Sequence, residues 1–321
     1  PDFQKASDTG LRILFNRLQI MLEGKPFKII SRNLMQGKVH FTFYVLPFDT
    51  SQLEIVSRWG KKRFYIAKVQ EAVDTLTREG AVCLSLGAHT SIITGNGLNL
   101  AEHESCKILT GNTLTVASCI YYLNQYLKNS STRAHKPRTI AVVGASGNIG
   151  SGLVECLADP IYNQYEIILA GNNEKRLEKL KDKMPASNSA IRCTNDLFEL
   201  KRADIIICCA NTNDHIIYPH HLQTGNQVFI IDISVPGAVA DEVKPLKNII
   251  FCKDASSVFL HDNPYMLFST HTPEGKTFCC AGESILYGLN HLQIPMKGHI
   301  NKEAVSELVQ LAMSEKFFNL K

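Results

Sequence analysis

The chain has 321 residues, 45% of them hydrophobic and 20% charged, and a formal net charge of +4 at pH 7. These values are typical of a globular protein that buries a large core and divides into two domains. The charge is too small to indicate nucleic acid binding, and no run of 18 apolar residues predicts a membrane span.

The first 134 residues contain predicted strands at 38–46 and 81–86 and predicted helices at 59–79 and 113–127. We predict that residues 1–134 form an N-terminal substrate domain. Two further predicted helices, 281–292 and 302–314, complete this domain from the C-terminal segment 275–321. The polar segment 129–137, which ends in Pro137, is typical of a domain linker.

The middle of the chain alternates between strands and helices. Its predicted strands are 139–143, 166–170, 204–209, 227–233 and 248–252, and its predicted helices include 149–157 and 174–184. Such alternation favours a doubly wound parallel sheet. We therefore predict an α/β protein in which residues 135–274 form an NADP-binding Rossmann domain beside a second, discontinuous α/β domain.

A glycine-rich turn follows the strand at 139–143. It has the form G-x-x-G-x-x-G and includes Gly144, Ser146, Gly147, Asn148 and Ile149. Glycines let the backbone approach a pyrophosphate, and the next helix offers free N–H groups to it. We expect Gly144→Val and Gly147→Val to abolish cofactor binding while the fold survives. The alternative is a glycine turn that serves packing alone.

The end of the second Rossmann strand indicates which cofactor binds. NAD-binding proteins usually place an acidic residue there, whereas this chain has Gly171, Asn172 and Asn173, followed closely by Lys175 and Arg176. A basic cluster without an acid suits the 2′-phosphate, so we predict NADPH over NADH. The alternative is that Lys175 and Arg176 are solvated helix residues.

Cys280 is a candidate nucleophile because it lies where a helix is predicted to begin. The helix dipole and unpaired N–H groups at that end favour the thiolate. The alternative is a buried structural cysteine, since this chain has ten and buried thiols are usually inert. The cysteines are scattered or adjacent and form no zinc-like C-x-x-C pair.

From this cysteine pattern we predict free thiols in a reducing, cytoplasmic compartment, and no metal site. His220, His221 and His261 also lack metal-ligand spacing. Because the sequence begins at Pro1, without Met or a signal-peptide pattern, we expect further residues upstream.

Two polar loops offer groups that stabilise an oxyanion or bind a carboxamide. One carries His89, Thr90 and Ser91 after a predicted strand, and the other places Asn112 at the start of a helix. His89 is a candidate general acid, although a lone loop histidine is more often a surface residue. Asn112 and its neighbours suit simple helix capping equally well.

Several ordered motifs resemble the long-chain acyl-[acyl-carrier-protein] reductase family, the aldehyde-forming enzymes of cyanobacterial alkane synthesis. LGAHTSII at 86–93 resembles the family's LGGFTSII, LTGNT at 109–113 its TTGNT, and VGASGNIG at 143–150 its VGATGDIG. Ile231, Asp232 and Pro236 are similar to parts of IDGGYP, and FCCAGE at 278–283 resembles FACFAE. The likeness runs from about residue 38 to residue 320.

The resemblance implies that Cys280 carries the acyl group and that a fatty acyl thioester is reduced to an aldehyde with NADPH. It implies acyl carrier protein or acyl-CoA as the acyl donor, and an aldehyde-consuming partner enzyme. The chain is a divergent member, since Ala88 and His89 replace the family's Gly and Phe, and Gly171 replaces its Arg. A 2′-phosphate contact would then fall to Asn172, Lys175 or Arg176.

The sequence leaves two other functions open. A non-covalent dehydrogenase of the shikimate or methylene-tetrahydropterin type also pairs a Rossmann domain with a smaller one. A Lys–Asp pair in the substrate loops would favour this function, but no convincing pair is found, and Lys68, the best lysine candidate, suits a helix surface equally well. A non-catalytic NADP-binding sensor would bind the cofactor without oxidising it. In the reductase, we expect the substrates to meet in the cleft between the domains.

Overall fold

The computed structural model describes residues 26–46, 62–87, 89–130, 137–185, 190–212, 214–234, 237–252, 254–260, 275–292 and 297–318. Ala88, Pro236, His261 and most of the predicted linker lie outside these residues. The strands are β1 (Phe27–Leu34), β2 (Val39–Val45), β3 (Cys83–Ser85), β4 (Lys107–Leu109), β5 (Thr139–Val143), β6 (Glu166–Ala170), β7 (Ile191–Thr194), β8 (Ile205–Cys208), β9 (Val228–Asp232), β10 (Ile249–Cys252), β11 (Ser257–Phe259) and β12 (Lys276–Phe278). The α-helices are α1 (Lys62–Arg78), α2 (His89–Ile93), α3 (Asn112–Ser130), α4 (Asn148–Leu157), α5 (Glu174–Lys181), α6 (Cys279–Asn290) and α7 (Lys302–Ser314).

Six strands form one parallel sheet in the order β10-β9-β8-β5-β6-β7. Counted from β5 as the first strand, this is the 3-2-1-4-5-6 order of the doubly wound Rossmann fold. The predicted α/β fold class is confirmed. The strand order reverses between β5 and β8, which is where such sheets bind their ligands.

The central strands are buried because almost every side chain on them is apolar. All five residues of β5 and all four of β8 are buried, as expected for a parallel sheet covered on both faces. Ala141, Ile168, Ile206 and Ile230 belong to the core cluster on this sheet. The buried Asp204 carboxylate, just before β8, accepts the N–H groups of Arg138 and Thr139 at 2.8 and 3.2 Å.

The described residues fall into two compact units. The N-terminal unit lies within Pro1–Gly111, Leu260–Lys276 and Cys280–Gly298, and the sheet unit lies within Asn112–Phe259, Thr277–Cys279 and His299–Lys321. The boundaries expected from the sequence divide the chain differently, since they assign α3 and α7 to the substrate domain. In the structure both helices group with the sheet. As domain boundaries, 1–134, 135–274 and 275–321 stay a prediction.

In the sheet unit, α3 and α4 pack on each other and on α7. A Cβ on Gly152 of α4 would stand 3.0 Å from the Ile300 side chain, so glycine lets the two segments approach. Ion pairs join the same elements, from His299 to Glu155 at 2.7 Å and from Lys302 to Asp159 at 2.5 Å.

The N-terminal unit has its own small α/β core. Strands β1 and β2 pair antiparallel, while β3 and β4 pair parallel, with Ser85 opposite Leu109. Helix α1 contributes Val69 and Val73 to a buried cluster with Leu86, Leu100 and Ile108. The charged residues Lys62, Arg63 and Arg78 at the two ends of α1 are exposed, while its buried apolar residues recur at the spacing of an amphipathic helix.

Strands β4, β7, β11 and β12 were not predicted, because three or four residues show too little periodicity, and β1 was not predicted either. One of them, β12, leads directly into α6, so this helix begins two residues earlier than expected. All ten cysteines are free thiols. Within the described ranges, no helix has the length and apolarity needed to cross a membrane.

Candidate active site

The glycine turn of the sheet unit joins β5 to α4. Gly144 has a φ of +83°, and a Cβ there would stand 2.8 Å from the backbone N of Ala210. Only glycine fits both restraints. Gly147 is the N-cap of α4, and among the described residues a Cβ on it would meet the Gly144 carbonyl oxygen alone, at 3.3 Å. The backbone around Gly147 is therefore open to close approach by a ligand.

The predicted phosphate-binding residues lie together in this turn. Ser146 is half-buried, and Asn148 and Ile149 are the first two residues of α4. The first N–H groups of an α-helix have no partner within the helix itself, and this is why helix starts suit anions. Together with its place at the switch point beside β5, the turn fits the pyrophosphate of a dinucleotide.

The tip of β6 carries no carboxylate. Ala170 ends the strand, Gly171 and Asn172 follow, and Asn173 caps α5 by accepting the Arg176 backbone N–H at 3.1 Å. A Cβ on Gly171 would stand 3.6 Å from the Ser146 hydroxyl oxygen, so this loop lies against the glycine turn. Asn172, Lys175 and Arg176 are exposed. The loop thus offers amide and basic groups, which fit a phosphorylated ribose.

In the N-terminal unit, Cys280 is the second residue of α6 and is half-buried. Its neighbour Cys279 is only 1% exposed, and its thiol donates to the Ala255 carbonyl oxygen at 3.6 Å. The two adjacent cysteines therefore differ in solvent exposure. Only Cys280 combines partial exposure with a position in the first turn of α6, where thiolate is favoured.

Gly111 packs directly on Cys280. It has a φ of +75°, and a Cβ on it would stand 2.3 Å from the Cys280 Cβ, which leaves no room for any side chain. The Gly111 N–H donates to the Glu283 carboxylate at 2.8 Å, and Glu283 is fully buried. Glu283 lies three residues after Cys280 on α6, so one helical turn holds both residues against Gly111.

Ser85, at the end of β3, lies in the same place. Its Oγ is 2.9 Å from the point where a Gly111 Cβ would stand, and is therefore a near neighbour of Cys280. This oxygen is buried, and no hydrogen-bond partner reaches it among the residues that the structure describes. Sequence reasoning assigned no role to Ser85 or Glu283. The only sequence signal was the spacing of Glu283 from Cys280.

Burial makes most other thiols poor nucleophiles. It raises the pKa of Cys83 to about 12, with smaller contributions from Cys106 and Glu283, and it raises the pKa of Cys193 to about 11. Burial also raises the pKa of Cys106, Cys119, Cys156, Cys208 and Cys209. These groups stay protonated near neutral pH, whereas nucleophilic attack requires a thiolate.

The predicted polar groups divide between the two units. His89, Thr90 and Ser91 are the first three residues of α2 and lie in the N-terminal unit, which also contains Cys280. The Thr90 hydroxyl donates to the Gly87 carbonyl oxygen at 2.6 Å, and Ser91 is buried. Asn112 belongs to the sheet unit, where its side-chain amide donates to Asn148 of the glycine turn at 3.1 Å.

Residues 127–253 match the sequence model of the family described as shikimate / quinate 5-dehydrogenase. The sheet unit contains an NAD(P)-binding Rossmann domain. The matched part covers this Rossmann domain and none of the segments that carry Ser85, Gly111 and Cys280. The match therefore supports an NAD(P)-dependent oxidoreductase through its cofactor domain. It says nothing about the residues around Cys280, which lie outside the matched range.

One curated relative is the aminotransferase PigE of Serratia sp., which is 25% identical over 196 residues. The match covers 61% of this chain, and the chain spans about a fifth of the length of PigE, 22%. The resemblance to acyl-[acyl-carrier-protein] reductases stays a prediction.

Solved structures with some likeness are dehydrogenases and an oxidoreductase. L-tryptophan dehydrogenase from Nostoc punctiforme has a TM-score of 0.37 and 15% identity, over 65% of this chain and 53% of its own. A D-isomer specific 2-hydroxyacid dehydrogenase from Lactobacillus delbrueckii ssp. bulgaricus has a TM-score of 0.32 and 13% identity, over 77% and 79%. The yhdH oxidoreductase from Salmonella enterica, in complex with NADP, has a TM-score of 0.29 and 13% identity, over 64% and 56%.

Proposed function

We propose that the protein is an NADPH-dependent reductase that converts a fatty acyl thioester to an aldehyde through a Cys280 acyl-enzyme. The observation that carries this proposal is the position of Cys280. It lies in the first turn of α6, half-buried and held against Gly111, while the adjacent Cys279 is buried. The acyl donor is an acyl carrier protein or acyl-CoA.

Cys280 begins the reaction as a thiolate, which the N-terminus of α6 favours. Its sulfur attacks the thioester carbonyl carbon, so a new carbon–sulfur bond forms and the carbonyl electrons move to oxygen. Hydrogen-bond donors of the N-terminal unit stabilise this oxyanion, with Ser91 as a candidate and Thr90 as another once it releases the Gly87 carbonyl oxygen. The carrier thiolate leaves and takes up a proton, and the acyl group remains on Cys280.

The glycine turn and the loop after β6 hold NADPH in this proposal. Residues 144–149 bind the pyrophosphate, and Asn172, Lys175 and Arg176 bind the 2′-phosphate. The bound nicotinamide supplies the hydride that reduces the acyl group. Cys280 then leaves the carbonyl carbon as a thiolate, the aldehyde is released, and the residue is ready for another turnover.

A second candidate is a non-covalent NAD(P)-dependent dehydrogenase of the shikimate type. The family match over residues 127–253 favours it. Such an enzyme would use a Lys–Asp pair near its substrate. Lys68, the best lysine candidate, instead contacts Glu71 of its own helix at 2.8 Å, in an ordinary i,i+3 ion pair. A non-catalytic NADP sensor is the third candidate.

Intact-mass spectrometry with octanoyl-CoA, in the absence of NADPH, tests the covalent step. We expect one octanoyl adduct on the wild type and on Cys279→Ala, and none on Cys280→Ser. With NADPH added, the first two proteins should release octanal, and Cys280→Ser should bind NADPH without turnover.

Each contrary result would contradict a different part of the proposal. Reductase activity in Cys280→Ser would remove covalent catalysis and favour the shikimate-type dehydrogenase. An adduct on Cys279 would contradict the assignment of the nucleophile. NADPH binding without oxidation by any thioester or ketone tested would favour the sensor.

A further inference from the structure

Ser85 carries a buried hydroxyl that no residue in the described part of the chain uses. Its Oγ is shielded from solvent, and within the described ranges no donor or acceptor pairs with it. Leaving a buried hydroxyl without a partner is unfavourable, so such groups in native proteins call for an explanation, and ligand binding is one. Ser118 of α3, in the sheet unit, also has a buried hydroxyl with no partner among the described residues, and it provides a comparison.

The location of Ser85 indicates what would satisfy its hydroxyl. The Ser85 Oγ lies 2.9 Å, and the Cys280 Cβ 2.3 Å, from the position that a Cβ on Gly111 would occupy. Ser85 is fixed there because β3 pairs with β4, which places it opposite Leu109, two residues before Gly111. A group that reacts with the Cys280 sulfur would therefore come close to this hydroxyl.

Three other candidate donors already donate elsewhere. The Gly111 N–H donates to Glu283, and the Thr90 hydroxyl donates to the Gly87 carbonyl oxygen. The Asn112 amide, a sequence-based candidate for the oxyanion, donates to Asn148. For the Ser85 hydroxyl proton, by contrast, the described residues provide no hydrogen-bond acceptor.

We propose that the Ser85 hydroxyl donates a hydrogen bond to the acyl carbonyl oxygen during attack by Cys280, and so is a catalytic residue of acyl transfer. The inference rests on the proposed function, since it needs an acylated Cys280. Ser85 keeps its proton throughout. The carbonyl electrons move onto oxygen as the sulfur–carbon bond forms, and they return when the leaving group departs. A donor aimed at that oxygen stabilises the transition state more than the ground state.

The test compares acylation with alkylation at Cys280. The probe for acylation is p-nitrophenyl acetate, which passes through an oxyanion and releases p-nitrophenolate. The probe for alkylation is iodoacetamide, whose displacement reaction forms no oxyanion. Peptide mapping assigns adducts to Cys280, and Cys280→Ser gives the background from the other thiols.

In Ser85→Ala we expect the acetylation rate of Cys280 to fall by about 10²–10³-fold, as for loss of an oxyanion donor. Its alkylation rate should stay that of the wild type. Ser118→Ala should change neither rate. Both variants should keep the wild-type thermal midpoint or exceed it, because each removes an unpaired buried hydroxyl.

Several outcomes would overturn the proposal. Unchanged acetylation in Ser85→Ala would remove Ser85 from the reaction. A parallel fall in alkylation would mean that Ser85 acts on the sulfur, and a lower thermal midpoint in Ser85→Ala than in Ser118→Ala would mean that its hydroxyl has a structural partner. A wild-type Cys280 that takes up no acetyl group would overturn both the inference and the proposed reductase. If acetylation depends on Ser85 but no acyl-CoA is reduced, the inference stands and the proposed function fails.

Discussion

Gly111 and Gly144 occupy equivalent turns in the two units of the molecule. Each follows a short strand, has a positive φ, and precedes a long helix by one to four residues. At Gly144 the space of a Cβ is taken by the backbone at Ala210, whereas at Gly111 it is taken by Cys280. The Gly111 N–H donates to the Glu283 carboxylate, whereas at Gly147, the N-cap of α4, no described side chain makes a capping hydrogen bond.

The difference shows two uses of one local conformation. A glycine turn between a strand and a helix can present N–H groups to an anion from outside, as we propose for residues 144–149. Such a turn can also donate its N–H to a carboxylate of the protein, here Glu283, and pack against another residue, here Cys280. The predictions below test this comparison, beginning with the largest expected effect.

Replacing Gly111 by Ala should be the most damaging change. The new Cβ would overlap Cys280, and an alanine would be strained at this positive φ. We therefore expect the free energy of unfolding to fall by about 2–5 kcal/mol. Gly80→Ala is the matched control, because Gly80 has a φ of +91° with nothing within 4 Å of its Cβ position. It should cost only about 1–2 kcal/mol. Urea unfolding measures both, and equal losses would contradict the packing of Cys280 on Gly111.

The two glycines of the cofactor turn should respond differently to Val. The structure changes the expectation for Gly144, because its Cβ would meet the backbone at 2.8 Å. We now expect Gly144→Val to lower stability as well as cofactor binding. Gly147→Val should keep the wild-type stability and weaken NADPH binding by at least about tenfold. Thermal melting and fluorescence titration check this pair, and normal NADPH affinity in Gly147→Val would remove the phosphate site from the turn.

The basic residues of α5 test the choice of cofactor. We expect Lys175→Ala or Arg176→Ala to weaken NADPH binding by about 5–10-fold, the effect of one charge-assisted hydrogen bond, and to leave NADH binding unchanged. Lys179→Ala removes the same charge from an exposed position further along the helix and should change neither affinity. Tighter binding of NADH than of NADPH by the wild type would contradict the assignment.

Asn112→Ala should have the smallest effect, and it distinguishes a role of Asn112 in cofactor binding from a role in stabilising the oxyanion. The residue directly follows Gly111, yet its amide contacts Asn148 of the other glycine turn. Loss of one neutral hydrogen bond, about 0.5–1.5 kcal/mol, should weaken cofactor binding by roughly 2–10-fold. The rate of Cys280 acetylation should not change. A slower acetylation instead would place Asn112 at the oxyanion, as the sequence alone suggested.

The sequence by itself determined the cofactor fold. Long apolar strands separated by amphipathic helices and a contiguous glycine turn predict β5, α4 and β6 to within a residue of their observed bounds. These signals are local, because strand burial, helix periodicity and turn geometry each depend on neighbouring residues. The position of Cys280 near a helix N-terminus was predictable for the same reason, although α6 begins at Cys279.

Only the tertiary structure decided what surrounds Cys280. Ser85, Gly111 and Glu283 come from three segments separated by up to 198 positions in the chain, and no periodicity links them. The pairing of β3 with β4 brings Ser85 beside Gly111, and the path of α6 brings Cys280 and Glu283 to the same point. The sequence also could not separate Cys279 from Cys280 by burial, since adjacent helical residues point about 100° apart and only packing decides which of them is covered.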